Sequence, residues 1–264
     1  MTESAFLRER MMIMIRVLMC GCNGQMGRAI NSMAESEEEL KIVAGIDINP
    51  NPDVSYPQFA SARECNVPVD VVIDFSSSKA TDELLAYCEE TNTPVVLCST
   101  GHSPEQLHRI EEASRKVAIL KSANMSLGVN LLIKLLKEAT GTLAGAGFDI
   151  EIVEKHHNRK LDAPSGTAIA LADAVNEAAE GSYHYVYDRS QRREKRDSKE
   201  IGISAVRGGS IVGDHDVIFA GQDEVITFSH RAYSRALFAK GAISAAKFLA
   251  GKEPGFYSMQ DVIG

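Results

Sequence analysis

The chain has 264 residues, 44% hydrophobic and 24% charged, which suffices for one or two domains with a full core. Its formal net charge of −8 argues against general nucleic-acid binding and against docking on an anionic membrane, both of which need a basic surface. No apolar run approaches the ~18–20 residues of a bilayer span. At the N-terminus, Arg8 and Arg10 precede Met11, Met12 and Ile13, the order of a secretory leader. The apolar stretch runs on toward Gly21 without a small-residue cleavage site, so residues 1–13 read as a short tail.

Residues 15–20 (IRVLMC) read as a buried strand, followed by Gly21, Gly24, Gly27 and a helix-compatible run to about residue 35. Residues 41–46 (KIVAGI) form a second apolar strand ending at Asp47, and 69–75 (VDVVIDF) a third. A helical pattern covers 79–90, and 94–98 (PVVLC) is a fourth strand. Residues 104–115 are helical, with Ser103 as N-cap and Pro104 in the first position, and 117–120 (VAIL) are a fifth strand. Continuous apolar strands alternating with helices predict an α/β fold with a Rossmann-like, doubly wound parallel sheet.

The pattern then changes. Residues 127–143 form one long amphipathic helix, and 149–155 (DIEIVEK) alternate as a strand with one wet face does. Residues 165–180 are an alanine-rich helix. Six basic and four acidic residues between 188 and 200 predict a solvated loop. Strands of mixed pattern follow at 201–206, 216–220 and 224–229, and a last helix at 234–250. A second, α+β domain built on a mixed sheet therefore begins near residue 128. Cys20, Cys22, Cys65, Cys88 and Cys98 are odd in number and form no C-x-x-C pair. They read as reduced thiols of a cytoplasmic protein, and no metal site is expected.

Two segments carry chemistry. Gly21-x-x-Gly24-x-x-Gly27 sits between a strand and a helix, where glycine permits a tight turn, close backbone approach to a pyrophosphate and close helix packing. Asp47 follows twenty residues after Gly27, at the end of the next strand, where a carboxylate accepts hydrogen bonds from ribose hydroxyls. A 2′-phosphate would be repelled there, and Ile48, Asn49 and Pro50 supply no cation, so NADH is favoured and NADPH remains possible. Residues 98–101 (CSTG) and 122–125 (SANM) follow the fourth and fifth strands, at the carboxyl ends where such sheets bind ligands.

The second segment, 154–168 (EKHHNRKLDAPSGTA), packs two histidines, a lysine and a small-residue helix start together. Histidine exchanges protons near neutral pH. Lysine supplies a fixed positive charge, and backbone N–H groups at the helix start bind carboxylates or phosphates. Together they describe a site for an anionic substrate that must be protonated. His156 and His157 close a strand and should point to opposite faces, which argues against a paired metal site. Ser165 can cap the helix, and Asp162 and Pro164 shape the turn. An electron carrier plus a proton donor indicates a reductase.

With both segments in place, the chain resembles the 4-hydroxy-tetrahydrodipicolinate reductase (dihydrodipicolinate reductase) family. The resemblance is carried by 17–30 (VLMCGCNGQMGRAI), 69–77 (VDVVIDFSS), 99–103 (STGHS), 122–130 (SANMSLGVN), 151–168 (EIVEKHHNRKLDAPSGTA), 206–219 (VRGGSIVGDHDVIF) and 256–263 (FYSMQDVI). It implies His156 as the general acid/base, Lys160 as a second catalytic group, and His157, Gly166 and Thr167 as substrate-binding. It implies cofactor contacts from Gly21, Cys22, Asn23, Gly24, Gln25 and Met26, from Asp47, from Cys98, Ser99 and Thr100, and from Ser122, Ala123, Asn124 and Met125. It implies reduction of a cyclic dicarboxylate in lysine/diaminopimelate biosynthesis, with loss of water, by a homotetramer assembled through the second domain's sheets. The division that follows is an N-terminal extension at 1–14, a dinucleotide-binding domain at 15–127 joined by 240–264, and a substrate-binding and oligomerisation domain at 128–239. Ile48 departs from the arginine that NADPH-using members often carry after the ribose acid. Two other readings compete: a different NAD-dependent dehydrogenase, for which Cys98 is the one plausible nucleophile, and a non-enzymatic NADH sensor, for which no basic helix-turn-helix segment is visible.

Overall fold

The structure, a computed structural model, describes residues 14–264, so the reading of 1–13 as a tail lies outside the described residues. The chain divides into two compact units, one from residues 14–125 and 236–262, the other from 126–235.

The first unit contains β1 (Ile15–Cys20), α1 (Gln25–Ala34), β2 (Leu40–Ile46), β3 (Gln58–Phe59), β4 (Val71–Asp74), α2 (Thr81–Thr91), β5 (Val95–Leu97), α3 (Pro104–Ser114) and β6 (Ala118–Lys121). The second contains α4 (Leu127–Leu143), β7 (Asp149–His156), α5 (Gly166–Ala178), β8 (His184–Val186), β9 (Glu200–Arg207), β10 (Gly213–Ala220) and β11 (Val225–Ala232). The chain ends with α6 (Ala236–Leu249), β12 (Gly255–Tyr257) and α7 (Met259–Ile263).

The first unit is the expected doubly wound sheet, seven parallel strands in the order β12-β6-β5-β4-β1-β2-β3. Its strands read as unbroken apolar runs because helices cover both faces. Leu18, Val72, Leu97 and Ile119 pack with Leu84, Leu85 and Cys88 of α2 and Ile110 and Ala113 of α3. The alternate residues Val17, Met19, Ile73 and Val96 are equally buried, and α6 packs across β4, β5 and β6 beside α1. The strand order reverses between β1 and β4, the switch point at which sheets of this kind bind ligands. Ser103 caps α3 through Gln106 in a reciprocal box, with Pro104 opening the helix as its sequence dictates.

The second unit is the expected mixed sheet, in the order β11-β10-β7-β9-β8, with β7 antiparallel to β10 and parallel to β9. Along β7 the period of two separates the faces. Ile150 and Ile152 join the core formed with Leu132 and Leu136 of α4 and Leu171 and Val175 of α5, while Glu151, Val153 and Lys155 are only partly buried. Glu154 and His156 continue the buried row, so the strand carries two polar groups toward its helix-covered side.

The segment 188–200 is the expected solvated loop over most of its length, with Arg189 and Arg196 half-buried and Glu200 buried at its end. Arg196 reaches back to β7, donating to Glu151 Oε1 at 2.9 Å, Asp149 Oδ1 at 2.8 Å and the Ile150 carbonyl at 2.8 Å, and Arg189 pairs with the buried Glu200. Composition identified the charges but not their partners, which lie across the sheet. The short strands β3, β8 and β12 and the helix α7 are additions to the expected elements; each strand is a two- or three-residue edge formed by pairing with a longer neighbour. Among the described residues no helix is long and apolar enough to cross a membrane.

Candidate active site

His156 is the last residue of β7 and is only 8% exposed. Its Nδ1 lies 2.6 Å from Oε2 of Glu154, which precedes it by two residues on the same face and is fully buried. Glu154 is a hub. The Arg207 guanidinium grips it with a two-pronged contact, Nη1 to Oε2 and Nη2 to Oε1, each at 2.7 Å. The Ser165 amide donates to Oε1 at 3.0 Å. Burial alone would raise the Glu154 carboxyl, but the hydrogen bonds from Arg207, His156 and Ser165 outweigh it and hold the group below the ordinary range. Arg207 also donates to the Asp162 carbonyl at 2.7 Å, which ties the loop after β7 to the end of β9.

His215 of β10 meets the His156 ring edge-on, with centroids 5.2 Å apart. Its Nε2 lies 3.0 Å from the hydroxyl of Ser165, which caps α5 by accepting the Ala168 amide at 3.1 Å. Burial foremost, then the neighbouring His156, lowers the His215 imidazole to about 4, so it is neutral at pH 7. Gly213 also borders His156: a Cβ there would stand 3.0 Å from Nε2.

The strand ends at His156, so His157 lies outside β7 and the alternation of faces expected for the pair does not extend to it. Its Nδ1 is buried and has no partner among the described residues. Burial, then the neighbouring Arg159, His156, Arg235 and Lys160, lowers its imidazole. Lys160 follows in the same turn, where its ammonium pairs with Asp162 Oδ1 at 2.8 Å and its amide donates to the His157 carbonyl at 3.1 Å. Gly166 opens α5 with free space where a side chain would stand, and Thr167 is the next residue. The five expected residues of this segment thus lie along one loop and one helix start, in a locally positive setting that suits a carboxylate-bearing ligand. Glu154, Arg207 and His215 are additional to the expected set. Only Glu154 left a readable sign, its two-residue spacing from His156 on an alternating strand.

The expected cofactor residues cluster at the carboxyl ends of the first unit's strands. Gly21 has φ +74°, and a Cβ there would lie 2.7 Å from the Phe75 carbonyl oxygen, so it needs glycine on both counts. A Cβ on Gly27 would lie 2.2 Å from the Gly21 carbonyl oxygen, which is why α1 can seat against the turn. Gly24 is the N-cap of α1 and brings no side chain to the helix start, where Gln25 and Met26 follow. This cradle, which side chains would fill, fits a pyrophosphate. Asp47 accepts the Asn23 amide at 3.0 Å and the Asn49 amide at 3.0 Å, binding the glycine turn to the end of β2. A cleft of about 560 Å³ opens there, lined among others by Gly21, Asp47, Ile48, Ser77, Lys79 and Glu83.

Cys22 is buried and its thiol is pushed up to about 11 by burial, then by Asp47. Cys98 and Ser99 also turn inward, the latter donating to the buried Asp74 carboxylate at 2.7 Å, whereas Thr100 is exposed. Burial raises the Cys98 thiol well above its ordinary range, which withholds the thiolate a covalent nucleophile needs. Ser122 accepts the Asn124 amide at 3.2 Å and donates to the Asn124 carbonyl at 2.8 Å, closing the turn that holds Ala123; Met125 is buried.

Residues 15–125 match the family model for the N-terminus of dihydrodipicolinate reductase, and 128–263 match the model for its C-terminus. The chain is 51% identical over 251 residues to a 4-hydroxy-tetrahydrodipicolinate reductase of Caldanaerobacter subterraneus subsp. tengcongensis, covering 95% of this chain and 99% of that protein. It is 47% identical to one of Clostridium tetani, covering 94% and 96%. Among solved structures, the dipicolinate-bound dihydrodipicolinate reductase from Paenisporosarcina sp. TG-14 shares the fold with a TM-score of 0.81 at 24% identity, over 95% of this chain and all of that one. The glycine turn and Asp47 of one unit and the His156–Lys160 loop of the other are found in a chain that both halves of one family's model cover almost end to end; it belongs to the dihydrodipicolinate reductase family.

Proposed function

We propose that the protein reduces 4-hydroxy-tetrahydrodipicolinate to tetrahydrodipicolinate in lysine/diaminopimelate biosynthesis, consuming one NADH and one proton and releasing water. The family is one of nicotinamide-dependent oxidoreductases, and the cofactor, when bound, supplies a hydride to C4 of the substrate ring. The observation that carries the reading is the His156 ring, anchored by buried Glu154 and followed within four residues by Lys160. His156 gives the proton as electron density moves toward C3 and the ring nitrogen. Lys160 holds charge beside it, and His157, Gly166 and Thr167 seat the carboxylates at the start of α5, which fixes the reacting atoms in place.

Residues 21–26 and Asp47 hold the pyrophosphate and adenosine ribose, with 98–100 and 122–125 toward the nicotinamide. Cys98 and Ser99, being buried, make their contacts through the backbone. NADH is the favoured cofactor because Asp47 and Glu83 line the adenosine cleft against one cation, Lys79, among its described lining residues. NADPH is accepted less well. Residues 15–127 with 240–264 serve the nucleotide and 128–239 the substrate. Four copies assemble in the cytoplasm through the uncovered face of the second sheet, where Val206 and Val225 lie exposed.

The test couples the protein to dihydrodipicolinate synthase fed with pyruvate and aspartate semialdehyde, and follows loss of reduced-nicotinamide absorbance. Oxidation that needs both enzymes supports the reaction. His156→Ala and Lys160→Ala should each lower kcat by about 10²–10⁴-fold while leaving the Kd for NADH near its original value. Weakened NADH binding with normal turnover would remove both residues from the proton-transfer role.

A further inference from the structure

Glu154 makes no contact with substrate in the proposed reaction, yet it is fully buried with both carboxylate oxygens engaged. Its two oxygens accept four hydrogen bonds: Arg207 twice, His156 Nδ1 and the Ser165 amide. We propose that Glu154, clamped by Arg207, is a positioning residue that holds His156 as the Nδ1–H tautomer, so that Nε2 is the atom that exchanges the reacting proton. The proposal rests on the reading of His156 as the acid–base group.

An ionised carboxylate only accepts hydrogen bonds. With Nδ1 2.6 Å from Oε2, the neutral ring must place its proton on Nδ1; the opposite tautomer would set a nitrogen lone pair against a carboxylate oxygen in a buried site. Arg207 makes this possible. Burial alone would favour the neutral carboxylic acid, which could donate to Nδ1 and reverse the tautomer. The guanidinium and the Ser165 amide keep Glu154 charged, so its carboxylate goes on accepting from Nδ1 when Nε2 takes up a proton.

The titratable and charged groups facing His156 are Glu154 on its own strand, Arg207 from β9, His215 from β10, and His157 and Lys160 with its partner Asp162 in the following loop. His215 stays neutral near pH 7, so of the two rings in edge contact only His156 has a carboxylate to support a change of charge. Gly213 completes the arrangement by presenting no side chain to Nε2.

The decisive measurement is a long-range ¹H–¹⁵N correlation spectrum of the full-length wild-type protein labelled at histidine ring nitrogens, above the His156 titration. Signals of His156 are those absent from His156→Gln. The expected pattern is a protonated Nδ1 with a strongly downfield proton and a bare Nε2. A proton on Nε2 instead overturns the proposal, and this holds whether or not any Glu154 variant folds. In parallel, Glu154→Gln should lower kcat with little change in KM. The lost turnover should return in part in Glu154→Asp, which restores a carboxylate acceptor for Nδ1. A folded Glu154→Gln with unchanged kcat refutes the positioning role. Normal turnover in His156→Gln would instead refute the acid–base reading, while the wild-type spectrum would still decide what Glu154 does to the ring.

Discussion

Gly213→Ala tests how tightly the His156 ring is held. The new methyl would stand 3.0 Å from Nε2 and 3.4 Å from Cδ2, so the ring or the strand must give by a few tenths of an ångström. The ring has little freedom to move, because Nδ1 is bonded to a carboxylate that Arg207 and the Ser165 amide fix in turn. A misplacement of about 1 Å can cost about 10²-fold in rate, so a displacement of a few tenths should lower kcat by about four- to tenfold, about 0.8–1.4 kcal/mol of barrier. Overpacking should cost about 1 kcal/mol of stability, the low end for a single added methyl. The coupled synthase assay reads the rate, and nucleotide fluorescence reads NADH affinity. That affinity should not change, since the nucleotide loops belong to the other unit. A Gly213→Ala protein that turns over like wild type would show that His156 need not sit where the structure puts it, and would refute the reasoning.

Asp47→Ala should weaken NADH by about 10–100-fold, the worth of one or two charge-assisted hydrogen bonds to ribose, and NADPH by less; equal losses in a fluorescence titration would remove Asp47 from the ribose site. Gly27→Ala drives a methyl to 2.2 Å from the Gly21 carbonyl oxygen, so stability and NADH affinity should each fall by at least about 1 kcal/mol, the former read from a lowered thermal midpoint; unchanged affinity would show that the turn does not bear on the cofactor. His215, lowered to about 4 in the folded chain, takes up a proton more readily when unfolded. Its stabilisation is therefore complete above the unfolded value and is lost as pH falls toward 4, amounting to roughly 2 kcal/mol between pH 6.5 and 5. His215→Gln should flatten the denaturation midpoint across that interval, and an undiminished slope would place the effect elsewhere.

The parallel sheet of the first unit was legible because burial on both faces writes each strand as a local apolar run. β1 occupies Ile15–Cys20 and α4 occupies Leu127–Leu143, the spans the periodicity predicts. The cap at Ser103 and Pro104 was legible for the same reason, since a cap involves only neighbours in the chain. The candidate active-site segment announced itself because its histidines, lysine and helix start lie within a dozen residues.

The two- and three-residue strands β3, β8 and β12 carry too few residues for a period, and exist because a longer strand offers them hydrogen bonds. The charges of segment 188–200 were visible, yet Arg196 has its partners on β7, more than forty residues earlier. Local pattern thus determined the fold class, the glycine turn and the loop that carries His156 and Lys160. Only tertiary structure decided what surrounds the His156 ring. Arg207 of β9 and His215 of β10 reach it through pairing of distant strands, and a carboxylate's protonation and an imidazole's tautomer depend on which groups stand within hydrogen-bonding distance, not on which stand next in the chain.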